Sequence, residues 1–362
     1  MGKENTKILI CYGTRPEVIK VSSTIKELLK RNISFTTVFT GQHHQLFDDV
    51  KSLVPKPDYN LEIMGDNQSP NDVLRNVAET FIPLLKNLNP DLVIVQGDTT
   101  TSATISLVSY YEKFPVGHIE AGLRTYNPMS PFPEEVNRQL ISRLASIHWS
   151  PTKTAADNLK SEGIENVFIT GNTVIDVCKQ YNSTPEYGNK ILVTLHRREN
   201  FGGKLESICT QIESIAKDHP ELDFVFPMHP NPEVQKYRRI FKEVKVVDPL
   251  EYVSFLTLLS KVKFVITDSG GIQEECAVFK KKALVCRDTT ERPEGVDAGL
   301  TKVVGTSVDS NFDWANENPK WDGKNPYGDG SASISIVSSI LEFAELIREK
   351  RLHSNLHNIQ LN

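Results

Sequence analysis

Phe264-Val265-Ile266-Thr267-Asp268-Ser269-Gly270-Gly271-Ile272-Gln273-Glu274-Glu275 runs from an apolar strand through a glycine pair into a helix. A strand that breaks at Ser-Gly-Gly leaves several backbone N–H groups of the new helix pointing into open space. Such a helix start attracts anions, and two glycines let a phosphate come close to the backbone. Glu274 and Glu275 follow within a turn, where a carboxylate can accept hydrogen bonds from ribose hydroxyls. The set points to a nucleotide diphosphate. The plainer alternative is a tight strand-to-helix turn whose glutamates sit there for the helix dipole.

Outward from this turn, short apolar runs alternate with helical patterns along the whole chain. The first half has Ile8–Tyr12, Phe35–Phe39, Asp91–Val95, Val116–Ile119, Ile147–Trp149 and Val167–Ile169. The second has Ile191–Thr194, Phe224–Met228, Val244–Val247, Phe264–Thr267, Ala283–Cys286 and Val303–Val304. Buried parallel strands read as unbroken apolar runs, and helices between them imply βαβ units. Two sets of about six units predict an α/β protein of two Rossmann-like, doubly wound domains with a cleft between them. The boundary is expected between Gly171 and Lys190, where Tyr181–Gly188 reads as linker. This gives an N-terminal domain over 1–175 and a C-terminal domain over 176–330. Asn311 to Gly330, rich in Asn, Asp, Gly, Pro and Trp, reads as a long surface loop. Ile336, Ile340, Phe343 and Ile347 then share one helical face, so a helix within 331–362 is expected to pack back on the N-terminal domain, with a frayed tail.

At 362 residues the chain is long for one core, and 39% apolar with 24% charged residues is a globular composition. A net charge of -5 without a basic patch argues against nucleic acid or a membrane surface as partner. The five cysteines are scattered and form no CxxC pair, which predicts a reducing compartment and no structural zinc. The first residues show no leader-like apolar stretch, and no run approaches the ~18 apolar residues of a membrane span. A cytoplasmic location is expected.

Polar clusters fall at the carboxyl ends of the strands, where open α/β sheets bind ligands. They are Gly13-Thr14-Arg15-Pro16-Glu17, Gly41-Gln42-His43-His44-Gln45, Gly97-Asp98-Thr99, Glu120-Ala121-Gly122 and the proline-bracketed Pro131-Phe132-Pro133-Glu134-Glu135. The second half adds His196-Arg197-Arg198-Glu199-Asn200, His229-Pro230-Asn231-Pro232 and Arg287 to Glu294. Each has a bland reading. Asp98 can cap a helix beginning at Thr99, Glu134 can be a first-turn acid, and His196 can be a satisfied polar residue beside a basic surface. Glu120 is harder to explain structurally, since a strand end rarely needs an acid. His43 and His44 lack the i, i+4 spacing of helical zinc sites, so no metal is expected. Together, Asp98, Glu120 and Glu134 facing two cationic clusters suit acid–base chemistry on a nucleotide-linked sugar.

The chain resembles the non-hydrolysing UDP-N-acetylglucosamine 2-epimerases from about Ile8 to Gly330. The matching motifs are GTRPE, GQH, QGDTTT, GHIEAGLRT, SPFPEEVNRQ, TGNTVID, HRREN, HPNP, TDSGGIQEE, RDTTERPEG and NPYGDG. Hydrolysing relatives differ around GTRPE and HIEAGLRT. The resemblance implies two Rossmann-like domains of the GT-B type shared with many glycosyltransferases. It also implies a homodimer, no cofactor, and inversion at C2 of the sugar to give UDP-N-acetylmannosamine, a precursor of cell-surface polysaccharide. The C2 proton has no adjacent carbonyl, and the family is understood to eliminate UDP across C1–C2, forming 2-acetamidoglucal, and then to add UDP back. By motif position the catalytic set is Asp98, Glu120, Glu134 and His196. The UDP contacts are Arg15, His229, Ser269, Gly270, Gly271 and Glu275, with Glu275 on the ribose.

Some members bind a second substrate molecule as activator, and the resemblance offers Gln42, His43, Gln45 and Arg197 for it. This chain has Asn67 where an Arg is expected, which leaves such activation open. Leu195 and Cys276-Ala277-Val278-Phe279 also depart from the commonest forms. The sugar therefore stays open to a 6-deoxy or otherwise modified UDP-2-acetamido sugar. A glycosyltransferase of the same fold would share the Ser-Gly-Gly turn and ribose glutamate, but would not require GHIEAGLRT and PFPEE together. A nucleotide-sugar sensor would keep the cradle and lose the acids.

Overall fold

Ile8–Tyr12 is buried along its whole length, as a strand covered by helices on both faces must be. In the computed structural model, which describes residues 6–41, 50–63, 65, 68–181, 184–343 and 346, it is the first of thirteen strands among the described residues. The chain divides into two compact units. One comprises Met1–Arg124, Phe132–Asp176 and Gly330–Asn362, the other Thr125–Pro131 and Val177–Asp329.

The first unit carries β1 (Ile8–Tyr12), β2 (Phe35–Phe39), β3 (Tyr59–Asn60), β4 (Leu92–Gln96), β5 (Val116–Ile119), β6 (Ile147–Ser150) and β7 (Val167–Ile169). They form one parallel sheet in the order β3-β2-β1-β4-β5-β6-β7, with Ile8 opposite both Phe35 and Leu92. Only β3 lies outside the sequence reading; its two residues are exposed and carry no apolar pattern. On one face the core joins Leu9, Cys11, Val93 and Val95 to Val77, Phe81, Leu85 and Ile105 from the flanking helices.

The second unit carries β8 (Lys190–Thr194), β9 (Asp223–Pro227), β10 (Lys245–Val247), β11 (Phe264–Thr267), β12 (Ala283–Val285) and β13 (Thr301–Val303). Their order is β10-β9-β8-β11-β12-β13, again parallel. Ile191, Val193, Phe224, Phe226, Phe264 and Ile266 pack there against Ile208, Ile212 and Phe312. Both sheets therefore have the doubly wound order, which reverses direction between the first strand and the fourth. That reversal opens a crevice at the strand ends. It lies between β1 and β4 in one unit and between β8 and β11 in the other.

A helix over 332–343 lies in the first unit. Ile336 and Ile340 are buried and Phe343 is half-buried, while Ile347 falls outside the described residues. Trp149 Nε1 donates to Ser339 Oγ at 2.5 Å, and Arg31 Nη1 donates to Ser338 Oγ at 3.0 Å. Asp176 caps this helix from a distance, taking the N–H groups of Ala332 and Ser333 and the Ser333 hydroxyl. The long surface loop expected over Asn311 to Gly330 needs correction. Phe312–Asn316 is a short helix, and Phe312, Trp321 and Tyr327 are buried. Aromatic anchors decide the path of this polar stretch. Trp321 Nε1 donates to Ala298 O at 2.8 Å, and Lys280 Nζ lies 4.8 Å above its ring. Among the described residues no helix is long and apolar enough to cross a membrane.

Candidate active site

In the first unit the crevice is organised by a residue the sequence reading left without a role. Helix Arg15–Lys30 begins beyond β1 with Thr14 as its cap and Pro16 in its first turn. The Glu17 side chain folds back under it and is fully buried. Its Oε2 accepts the N–H groups of Gly13 (3.0 Å) and Thr14 (2.7 Å). Its Oε1 accepts the hydroxyls of Thr99 (2.8 Å) and Ser102 (2.7 Å) from the turn beyond β4. One carboxylate thus ties together the turns that display Arg15 and Asp98. Burial pushes the Glu17 carboxyl upward, and these donors oppose it.

Asp98 follows Gly97 at the end of β4. The capping reading of Asp98 is set aside by the structure: Thr99 caps helix Thr100–Tyr111, its side chain accepting Ser102 N–H. The Asp98 Oδ2 instead takes Arg138 Nε at 2.8 Å and Nη2 at 2.7 Å. Arg138 is buried and donates its Nη1 to Glu135 at 2.7 Å. Asn137 Nδ2 reaches the Asp98 carbonyl at 2.9 Å. These three residues belong to helix Glu134–Leu144, whose first residue is Glu134. The grip on Asp98 therefore brings the start of that helix to the end of β4.

Glu120 stands one residue beyond β5 with φ of 69°, a backbone region that non-glycine residues enter at a cost of roughly 1–3 kcal/mol. Its Oε1 pairs with Lys20 Nζ and takes Asn172 Nδ2 at 3.4 Å, while Oε2 takes Gln96 Nε2 at 2.5 Å. Both Lys20 and Glu120 are nearly sealed from solvent. A Cβ placed on Gly97 would lie 3.5 Å from Glu120 Oε2, so this carboxylate rests against the backbone beside Asp98. Beyond it Gly122 has φ of 94°, and a Cβ there would meet Ala155 O at 2.1 Å; the sharp exit after the acid needs glycine. The first unit accordingly gathers Arg15, Asp98, Glu120 and Glu134 around the ends of β1, β4 and β5.

The second unit repeats the tie with a different residue. Asp268, at the end of β11, is fully buried and accepts N–H from His196 (3.0 Å) and Arg197 (3.0 Å) beyond β8, and Asn200 Nδ2 at 3.1 Å. Burial raises its carboxyl and those donors oppose the rise. His196 Nδ1 lies 3.5 Å from Asp268 Oδ1, and the His196 ring stacks on His229 at 5.5 Å and 18°. Asn231 N–H donates to His229 Nδ1 at 3.1 Å, which places the proton of a neutral His229 ring on Nε2.

Helix Gly270–Val278 opens after Ser269, whose side chain makes no capping bond. The first N–H groups of a helix have no partner within it. A Cβ on Gly271 would meet nothing within 4 Å, whereas one on Gly270 would lie 2.5 Å from Arg292 Nη1 and 2.9 Å from Glu291 Oε1. One glycine therefore faces open space and the other rests on a buried charge network. In that network Arg292 Nε donates to Glu274 at 2.6 Å, Arg292 Nη1 pairs with Glu291, and Arg287 holds Glu291 at 2.9 Å and Glu199 at 2.8 Å. This separates the two glutamates of the motif. Glu274 is an internal ion-pair partner, while Glu275 takes the Tyr252 hydroxyl at 2.8 Å.

Gln42, His43 and Gln45 lie outside the described residues, as does Asn67. Arg197 is in the second unit, with its backbone N–H on Asp268. Sequence reasoning missed the holders: Glu17, Lys20, Gln96, Arg138, Asn172, Asp268 and Tyr252. Only Glu17 left a local signal, the Thr14-x-x-Glu17 capping-box pattern.

A family model described as UDP-N-acetylglucosamine 2-epimerase matches residues 26–341. This chain belongs to that family. A UDP-N-acetylglucosamine 2-epimerase of Neisseria meningitidis serogroup A is 42% identical over 369 residues, spanning 93% of this chain and 99% of the relative. The crystal structure of the enzyme from Neisseria meningitidis bound to UDP-GlcNAc superposes with a TM-score of 0.87 at 41% identity, over 93% of this chain and 100% of that one. S. aureus MnaA in a co-structure with UDP gives 0.88 at 38% identity, over 94% of this chain and 97% of that one. The fold read from the strand pattern is thus the fold of the family.

Proposed function

We propose that this family member is a non-hydrolysing UDP-N-acetylglucosamine 2-epimerase that interconverts UDP-GlcNAc and UDP-ManNAc. In the forward step a base takes the C2 proton, the C–H electron pair becomes the C1=C2 bond, and the C1–O bond breaks with its pair leaving on UDP. In the return step a UDP oxygen adds to C1 and a proton is delivered to the opposite face of C2. Two distinct acid–base positions are needed for inversion. Asp98, Glu120 and Glu134 supply them in the first unit, and their charge also favours the cationic C1 of the transition state. In the second unit the N–H groups at Gly270 and Gly271 and the Nε2–H of His229 hold the diphosphate, and Arg15 is a further candidate contact of UDP. Glu275 takes the ribose hydroxyls. His196, its Nδ1 turned to Asp268, has its other ring nitrogen directed away from that carboxylate and acts at the leaving oxygen.

The observation that carries this reading is Glu120. A nucleotide cradle alone has no use for an acid held at φ of 69° with a lysine and a glutamine on its two oxygens. A same-fold glycosyltransferase does not need it. Supplying UDP-GlcNAc as sole substrate tests the point: NMR should show UDP-ManNAc accumulating without any acceptor. Turnover that begins only when an acceptor sugar is added would overturn the assignment. A homodimer, a cytoplasmic location and supply of cell-surface polysaccharide belong to the same proposal. Light scattering at twice the 40.7 kDa chain mass checks the first of these.

A further inference from the structure

Tyr252, at the start of helix Tyr252–Lys261, is buried, and its hydroxyl reaches Glu275 Oε1 at 2.8 Å. Behind it Cys178 Sγ lies 3.7 Å from Tyr252 Oη. All three residues belong to the second unit and all three are buried. A carboxylate only accepts, so the tyrosine proton is committed to Glu275 and the thiol donates to the tyrosine oxygen. The chain Cys178 S–H to Tyr252 O–H to Glu275 thus runs in one direction. Burial, and after it the negative charge of Glu275, push both the phenol and the thiol well above their ordinary ranges, so both keep their protons.

We infer that Tyr252 is a positioning residue for nucleotide recognition: its hydroxyl fixes the Glu275 carboxylate so that the site reads ribose against 2′-deoxyribose. The inference rests on the proposed ribose role of Glu275. A carboxylate has about four lone-pair positions, and a glutamate reaches them through three rotatable bonds. Pinning Oε1 with a buried donor removes that freedom and sets the remaining lone pairs in one direction before the nucleotide arrives. Without the pin Glu275 retains its charge and loses the contact that fixes Oε1. A general packing role for Tyr252 would weaken all uridine nucleotides alike, whereas a positioning role weakens most those that present the 2′-hydroxyl.

The experiment compares UDP with 2′-deoxy-UDP by titration calorimetry on wild type, Tyr252→Phe and Glu275→Gln. Wild type should prefer UDP by about tenfold or more, the scale of one hydrogen bond to a charged group. Tyr252→Phe should bind UDP about tenfold more weakly and 2′-deoxy-UDP, which keeps only the 3′-hydroxyl, less so, so that the preference narrows. An unchanged preference in Tyr252→Phe, with the preference lost in Glu275→Gln, overturns the role of Tyr252 alone. An unchanged preference in Glu275→Gln overturns the ribose reading beneath it. Should Tyr252→Phe fail to fold, 4-aminophenylalanine at 252 keeps the shape with a weaker donor. Its preference should fall between those of wild type and Glu275→Gln, and a wild-type preference there refutes the inference.

Discussion

Gly270 and Gly271 are neighbours in sequence, yet alanine at each should fail in opposite ways. At Gly271 a Cβ meets nothing within 4 Å, and the backbone is not in the left-handed region. Gly271→Ala therefore strains nothing and removes the extra freedom of glycine in the unfolded chain, worth about 0.4–1 kcal/mol of added stability. The melting temperature should hold or rise by about one to four degrees. In the proposed cradle the same methyl stands in the space through which the diphosphate approaches the N–H groups. Loss of one charge-assisted bond, at about 1.5–3 kcal/mol, should weaken UDP binding about tenfold to a hundredfold or slightly more. At Gly270 the methyl would lie 2.5 Å from Arg292 Nη1 and 2.9 Å from Glu291 Oε1. Arg292 cannot swing away, because it is buried between Glu274 and Glu291. Overpacking of this kind costs about 1–3 kcal/mol, so Gly270→Ala should melt several degrees lower and lose UDP affinity as well. Thermal melts by circular dichroism and calorimetric titration with UDP read both quantities. The reasoning fails if Gly271→Ala, folded and stable, binds UDP as tightly as wild type.

Two further outcomes follow from the first unit. Asp98→Asn, Glu120→Gln and Glu134→Gln should each lower turnover about a hundredfold or more with little change in UDP affinity, and near-full turnover in these variants would remove them from the chemistry. His118 is fully buried, donates Nε2–H to Gly97 O at 2.8 Å and, through burial first and its neighbours His148 and Arg124 second, is pushed down to about 3 from 6.5. Between those values the unfolded chain binds one more proton, so His118 adds stability above pH 6.5 and loses about 1.4 kcal/mol of it per pH unit as acid is added. His118→Gln keeps a donor at the same place. Its stability in urea melts should therefore fall less steeply below pH 6.5, and parallel curves for the two proteins would contradict the assignment.

The strands were legible because a parallel strand covered on both faces must be apolar throughout, and Ile8–Tyr12 and Phe264–Thr267 are. Tyr59–Asn60 was not, since a two-residue exposed edge leaves no pattern. The strand-end clusters were visible for the same reason as the strands: polar residues directly after an apolar run stand out. What grips each of them was hidden. Arg138 lies forty positions from Asp98, Lys20 a hundred from Glu120 and Tyr252 twenty-three from Glu275. Such pairings are made by the crossing of elements and leave no local mark. The stretch from Asn311 misled because its polar composition outweighed Phe312, Trp321 and Tyr327, which are buried.

The direct test of elimination and re-addition is the fate of the C2 hydrogen. Purified protein and UDP-N-acetylglucosamine, in deuterated water with no acceptor, metal or nicotinamide added, should yield UDP-N-acetylmannosamine carrying deuterium at C2. Substrate recovered near equilibrium should carry it too, because the return step draws its proton from solvent-exchanged groups. Product that forms with its original hydrogen at C2 would contradict the mechanism, and with it the roles given to Asp98, Glu120 and Glu134.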